Sequence, residues 1–383
     1  MTSNPFRSIP IIDGHIHFGH PSYRENLVQI LDQANIGRFN IVCTPHMQRL
    51  SLVPDALQLK ALFPRRCYVF GGLDISTLFM APQYAGEVFA HYVDSLLEMG
   101  CDGIKMIEGK PQMRKTLPIP DFDAAVYAPY WDHMAETGTP LVFHVNDPEE
   151  FWDAERCPGW AKKMGWFYGD GTYINNEVQY RQVLNVLERH PNLNVIFAHF
   201  FFLSAQLERL SGYLDRFPNM QVDLTPGIEM YMNFARDPQK AREFFIKYQD
   251  RIVYGTDIGA KALLATPGMN IEASESRLRI QLIRRFLETE GPFQLQSEEG
   301  FLFGDPEFTF QGIALPDEVL EKIYHGNFER SVSAQPRTLN IPAVIEECDR
   351  QEAVLGAMRV MQPNQGIDLG LITQTREFFK SLT

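Results

Sequence analysis

At 383 residues, with 45% hydrophobic and 22% charged residues, the chain has the make-up of a folded globular protein and excludes a disordered or fibrous one. Its net charge of −13 is spread along the chain and repels phosphate backbones and anionic lipid, so neither nucleic acid nor a membrane is an expected partner. Five cysteines without a C-x-x-C pair suggest no disulfide framework or zinc knuckle and read as buried thiols.

The first element is IPIIDGHIH, a strand ending in His15 and His17, and it is preceded by no long apolar run with a small-residue cleavage site, so a cytoplasmic location is expected. A helix follows, with Leu27, Ile30, Leu31 and Ala34 on one face and Gly37 placed to end it. FNIVCTPH is the second strand, with His46 and Arg49 just beyond it; CYVFGGLD is the third, and CDGIKMI, carrying Lys105, the fourth. PLVFHVND, the fifth, carries His144 and leads into an aromatic-rich segment over 148–176, expected as a lid over a pocket or as packing on the rim. NVIFAHF, with His199, MQVDLT, and RIVYGTD, with Asp257, complete eight strands, and LSAQLERLSGYLDRF and SRLRIQLIRRFLETEG read as intervening helices. The long stretch after the eighth strand includes EGPFQLQSEEGFLFGDPEFTFQG, which has little helical character, and IPAVIEECDRQEAVLGAMRVM reads as one late helix.

Eight strands alternating with helices predict an α/β fold, a closed (β/α)₈ barrel with rim insertions. An open doubly wound sheet would carry a nucleotide fingerprint, and the chain has no G-x-G-x-x-G and no P-loop. The expected organisation is a catalytic barrel over 1–334 and a helical extension over 335–383 packed on it.

In a strand, residues two apart point the same way. His15 and His17 therefore project together, and two imidazoles suit a divalent metal such as zinc. His144, His199 and Asp257 close other strands, and in a barrel those ends converge on one face. Asp13, two residues before His15, is expected one layer deeper, either orienting a ligand or holding the barrel. No G-x-S-x-G elbow supports a serine nucleophile.

IIDGHIHFG, GIKM, LVFHV, VIFAHF, IVYGTDIG and LEKIYHGNFERS, over about residues 9 to 331, together resemble the amidohydrolase superfamily. Within it they are similar to the amidohydrolase-related branch (amidohydrolase 2), which also contains decarboxylases like aminocarboxymuconate semialdehyde decarboxylase. The resemblance implies one divalent metal, zinc by default with manganese, cobalt or iron also suited, bound by His15, His17, His144 and Asp257. It implies His199 as a catalytic group or further ligand that polarises the substrate or stabilises developing negative charge, and Asp257 as the group that accepts a proton from water and later delivers it to the leaving group. In binuclear members the strand-four lysine is carboxylated. GIKM matches the mononuclear pattern, so Lys105 is expected as a charged pocket residue, as a group supporting a metal ligand from behind, or as a salt-bridged structural lysine, and Gly326 and Asn327 as a structural turn.

The first expected activity is hydrolysis of a carbonyl-type bond in a small organic substrate. The alternatives are non-oxidative decarboxylation of an aromatic or unsaturated carboxylic acid at the same site, and a catalytically silent barrel with a binding role. Lys105, His46, Arg49 and Trp152 are the expected substrate-binding residues. Arg49, Arg114 and Lys110 are candidates to clamp a carboxylate, with Trp152, Trp160 and Trp166 as an apolar wall. Rim insertions make a homodimer the expected assembly.

Overall fold

The eight apolar runs are too short for buried helices and rich in β-branched and aromatic residues, and each forms a strand. The computed structural model describes residues 6–46, 49–227, 229–260, 271–295, 308–361 and 366–383. The barrel strands are β1 (Ile12–Ile16), β2 (Arg38–Val42), β3 (Cys67–Gly72), β4 (Gly103–Gly109), β5 (Leu141–Val145), β6 (Val195–Phe197), β7 (Met220–Asp223) and β8 (Ile252–Val253). Their order in the sheet is their order in the chain, and every pairing is parallel. Beyond β8 the chain turns back onto β1. Gly14 N–H donates to Tyr254 O at 2.9 Å, Asp257 N–H to His15 O at 2.9 Å, and His17 N–H to Ile258 O at 2.8 Å, which nearly closes the barrel.

Ile12, Val42, Phe70, Val142, Ile196 and Val253 fill the interior. The opposite faces of the strands bury Phe39, Val69, Ile104 and Phe143 against helices, so strand residues are apolar on both sides, as parallel sheets require. Helix α1 (Arg24–Gln33) shows how local chemistry sets the ends. It buries Leu27, Ile30 and Leu31, as its spacing predicts. It stops ahead of Gly37 because Asn35 takes the left-handed conformation, φ 58°, and Ile36 N–H reaches back to Leu31 O at 2.9 Å, a Schellman closure.

Strand β1 departs from simple alternation. A bulge between Asp13 and Ile16 shifts its register on β2. Ile12 and His15, three residues apart, consequently both face the interior, where unbroken pleating would send them to opposite sides. The bulge aims the histidine pair.

The late helix spans Ile341–Met361, as its sequence predicts, and pairs with Leu369–Lys380. Both lie on helices of the barrel's outer layer, Val53–Leu62 and Ala85–Met99. Thr375 Oγ1 donates to Asp55 at 2.9 Å and Tyr92 OH to Glu347 at 3.1 Å. Asn327 Nδ2 donates to both Gln249 O and Ile252 O at 2.7 Å, anchoring the start of β8, which accounts for the turn residue structurally. Glu290–Phe293 pairs with Phe310–Ile313 in an antiparallel ribbon, and positions 296–307 of that non-helical segment lie outside the described residues. All five cysteines are buried free thiols. Among the described residues no helix is long and apolar enough to cross a membrane.

Candidate active site

His15 and His17 leave the end of β1 and Asp257 follows β8, the two strands whose tips meet at the barrel seam. One ligand atom from each lies within 4.8 Å of the others. Asp257 Oδ1 is 3.2 Å from His17 Nε2 and 3.8 Å from His15 Nε2. The other carboxylate oxygen, Oδ2, lies 3.2 Å from Nη1 of Arg279, which is buried and also paired with Glu275 at 2.5 Å. Burial alone would raise the Asp257 carboxyl. The hydrogen bond from His17 and the guanidinium outweigh it and hold the group well below the usual carboxylate range.

His199 and His144 extend the site. Ring centroids run from His17 to His15 at 5.2 Å, to His199 at 5.9 Å and on to His144 at 4.9 Å, an arc of four imidazoles. Burial disfavours the charged form of three of them: it holds His15 well below its ordinary value, with Lys105 and His17 adding to the effect. His144 is lowered and His199 pushed down to about 3 for the same first reason. Neutral imidazoles offer lone pairs, which is what metal ligation requires.

His199 opens a left-handed turn. It and the next three residues, Phe200, Phe201 and Phe202, have φ between 52° and 56°, a conformation that costs a side-chain-bearing residue roughly 1–2 kcal/mol. Aromatic packing supports it. Phe201 stacks on Phe197 with centroids 4.0 Å apart, Phe200 on Phe245 at 5.7 Å, and Tyr180 OH donates to Phe201 O at 3.0 Å. Asp257, with φ 60°, is held in the same sparse region.

Three of the four expected metal ligands therefore converge, and His144 stands apart. Its Nε2 lies 3.4 Å from Asp147 Oδ1 and, though buried, makes no hydrogen bond. Three donor atoms of nitrogen and carboxylate type, with an unpartnered imidazole nitrogen nearby, fit a divalent cation with N and O preference. The site opens into a cavity of about 280 Å³. His46 lines it, as do Phe151, Trp166, Phe202, Met113 and Lys110.

The remaining expected substrate residues are distributed differently. Lys105 lies beneath the cavity, fully buried, with Nζ 3.2 Å from His15 Nε2; burial lowers its ammonium to about 8. Arg49 turns away to pair with the buried Asp55 and to donate to Gly19 O at 3.2 Å. Arg114 pairs with Asp121 at 3.0 Å and covers Phe122. Trp152 is also outside the cavity. Its indole N–H donates to Ile174 O at 3.0 Å and its ring abuts Tyr168 at 4.9 Å. The wall instead comes from its neighbour Phe151 and from Trp166, both within the 148–176 segment, whose described residues pack as one aromatic cluster at the cavity edge. Lys110 faces the cavity but is spoken for: Asp147 binds it at 2.8 Å and also accepts from Tyr168 OH at 2.6 Å.

Three site residues escape the sequence reading. Asp223 closes MQVD and lies 2.7 Å from His15 Nδ1; it ends a predicted strand, so the signal that picks out His144 and Asp257 applied to it as well. Asp147 had the same signal. Arg279, inside an amphipathic helix, had none. Asp13 holds the backbone instead, accepting from His15 N at 3.2 Å and from Thr256 N at 3.1 Å.

Comparison with known proteins adds the following. A family model described as Amidohydrolase matches residues 77–330. No curated protein matches the chain. An uncharacterised TIM-barrel protein from Bordetella bronchiseptica is 13% identical with a TM-score of 0.51, over 85% of this chain and 99% of that one. A Staphylococcus aureus protein assigned as an amidohydrolase is 15% identical, also with a TM-score of 0.51 and the same coverage, 85% and 99%. A 5-carboxyvanillate decarboxylase from Novosphingobium aromaticivorans is 12% identical with a TM-score of 0.48, over 84% and 97%. At such identities the likeness is one of fold.

Proposed function

Because the chain belongs to the amidohydrolase family, we propose that it is a metal-dependent hydrolase in which activated water attacks a carbonyl-type bond of a small organic substrate. The observation that carries this reading is the convergence of His15, His17 and Asp257, the last two of which line the cavity. These residues would hold one divalent ion, zinc by default, with His144 or His199 completing the set. The ion would supply Lewis acidity, bringing the pKa of water down toward ~7.

The rest of the chemistry falls to the chain. Asp257 is the proposed proton acceptor and later donor to the leaving group. The hydrogen bond from His17 and the Arg279 guanidinium at 3.2 Å favour its ionised, proton-accepting form. His199 supports the nucleophile rather than the substrate oxygen. Its Nδ1 lies 3.3 Å from Thr225 O, a carbonyl that only accepts, so Nδ1 carries the proton and Nε2 has a lone pair. Such a ring accepts a hydrogen bond from water or ligates the ion. Phe151, Trp166 and Phe202 limit water around the reacting atoms.

One observation favours a second reading, decarboxylation of an aromatic or unsaturated acid: Lys110 stands 5.1 Å from the Trp166 ring centroid at the aromatic wall, where a substrate carboxylate would have to compete with Asp147 for it. Metal-replete protein assayed against lactones, esters, amides and aromatic acids, with CO₂ release followed in parallel, separates the two. Turnover of carbonyl compounds without CO₂ is the expected result. CO₂ release with no hydrolysis would overturn the hydrolase reading.

A further inference from the structure

We propose that Asp223 is a positioning residue that fixes the tautomer of His15 and so determines whether the site binds a metal ion; this rests on the metal-dependent reading above. Asp223 ends β7 on the barrel interior and is 1% exposed. Its Oδ1 is fully engaged, accepting from His199 N at 2.8 Å, from Thr225 N at 3.1 Å and from the Thr225 hydroxyl. Its Oδ2 lies 2.7 Å from His15 Nδ1. An ionised carboxylate only accepts, so Nδ1 carries the proton. The lone pair of His15 then sits on Nε2, which faces Asp257.

A second contact gives the same assignment independently. Lys105 Nζ lies 3.2 Å from His15 Nε2, and an ammonium only donates, so Nε2 must be the acceptor. Lys105 and an incoming cation would compete for that one lone pair, and Asp223 on the far side of the ring keeps it available to either. The same carboxylate holds the backbone of His199 in its left-handed turn. One side chain thus orients the ring of one site histidine and the main chain of another, across β1, β6 and β7. Asp13, the candidate suggested by position in the sequence, meets His15 only at its backbone N–H and otherwise accepts from Thr256.

The chemistry predicts an unusual order for two variants. In Asp223→Asn, the three donors around Oδ1 demand the amide oxygen, which leaves the NH₂ group facing His15 Nδ1. An amide NH₂ only donates, so Nδ1 becomes the acceptor and the proton moves to Nε2, where it blocks ligation. In Asp223→Ala only Lys105 still biases the ring, and it does so toward a free lone pair on Nε2.

Affinity for Co²⁺ and Zn²⁺, measured by competition with a chromophoric chelator, is expected to fall about 10–100-fold in Asp223→Asn and by less in Asp223→Ala. A merely structural role predicts the reverse order, because asparagine keeps the contacts around Oδ1 and alanine keeps none. The second readout is the ¹⁵N spectrum of histidine-labelled, metal-free protein. It is expected to show His15 protonated at Nδ1 in the wild type and at Nε2 in Asp223→Asn, and it decides the matter even if Asp223→Ala does not fold. A wild-type ring protonated at Nε2, or an Asp223→Asn variant that binds metal as tightly as the wild type, would overturn the proposal. Failure of the wild type to bind any metal would refute the metal reading instead; the spectrum, which needs no metal, keeps the two apart.

Discussion

Glu108 offers a sharp quantitative test of the barrel's electrostatics. It lies on the outer face of β4, opposite in phase to Lys105, and is 1% exposed. No side chain hydrogen-bonds either carboxylate oxygen, and the nearby Tyr127 hydroxyl is unpartnered. Burial pushes its carboxyl from 4.5 up to about 7, outweighing the backbone N–H groups of Glu108 and Ile107 and, more weakly, Lys105. Below the lower value the group is protonated in both folded and unfolded chains. As pH rises through the interval, the unfolded chain releases its proton while the folded one retains it, so stability falls; above about 7 both are ionised and the penalty stays constant. At ~1.4 kcal/mol for each tenfold change, that interval corresponds to roughly 3 kcal/mol, a large share of the about 5–15 kcal/mol that holds a typical protein folded.

Glu108→Gln removes the titration while keeping the shape. Denaturant unfolding of both proteins at about pH 5 and about pH 8 should show the variant gaining roughly 2–3 kcal/mol on the wild type between the two conditions, whatever constant offset the amide introduces. A difference that is the same at both pH values would mean that Glu108 titrates in its ordinary range. It would refute the reasoning from burial.

Three further outcomes follow from contacts already described. Asp257→Asn is expected to stay folded and to lose turnover by at least ~10²-fold, the usual cost of removing a general acid or base; near-normal turnover would remove Asp257 from that role. Gly259→Ala places a Cβ 2.1 Å from His17 O at a residue with φ 87°, so the backbone carrying His17 must shift. Metal affinity by chelator competition should drop about tenfold or more, since misplacing a ligand costs at least what losing its supporting contacts does, and unchanged affinity would contradict the geometry. Asn327→Ala strips the two carbonyls at the start of β8 of their donor and should cost roughly 2 kcal/mol or more, read as a lower denaturation midpoint; an unchanged midpoint would contradict the anchoring role.

The barrel was legible because parallel strands buried on both faces leave near-continuous apolar runs, and PLVFHVND or RIVYGTD needs little context to read as strand. The histidines and Asp257 were legible as a group because strand ends of a barrel share one face. What could not be read is local geometry. The bulge in β1 depends on how that strand meets β2 and β8, and the left-handed turn from His199 to Phe202 depends on aromatic partners far along the chain. Side-chain direction was hidden for a similar reason. Arg49 and Trp152 sit in the expected loops, but Asp55 and the Ile174 carbonyl, partners outside those motifs, draw them from the cavity. Asp223 was missed although its strand was predicted, because the histidine pattern drew notice to ligands and not to what orients them.

The most direct test of the account is elemental analysis of protein purified without chelators, alongside His17→Ala. The account predicts close to one equivalent of a divalent transition metal per wild-type chain and its loss from the variant, with both proteins folded. A folded wild-type chain that carries no metal, and takes up none on dialysis against zinc, manganese or cobalt, would contradict it.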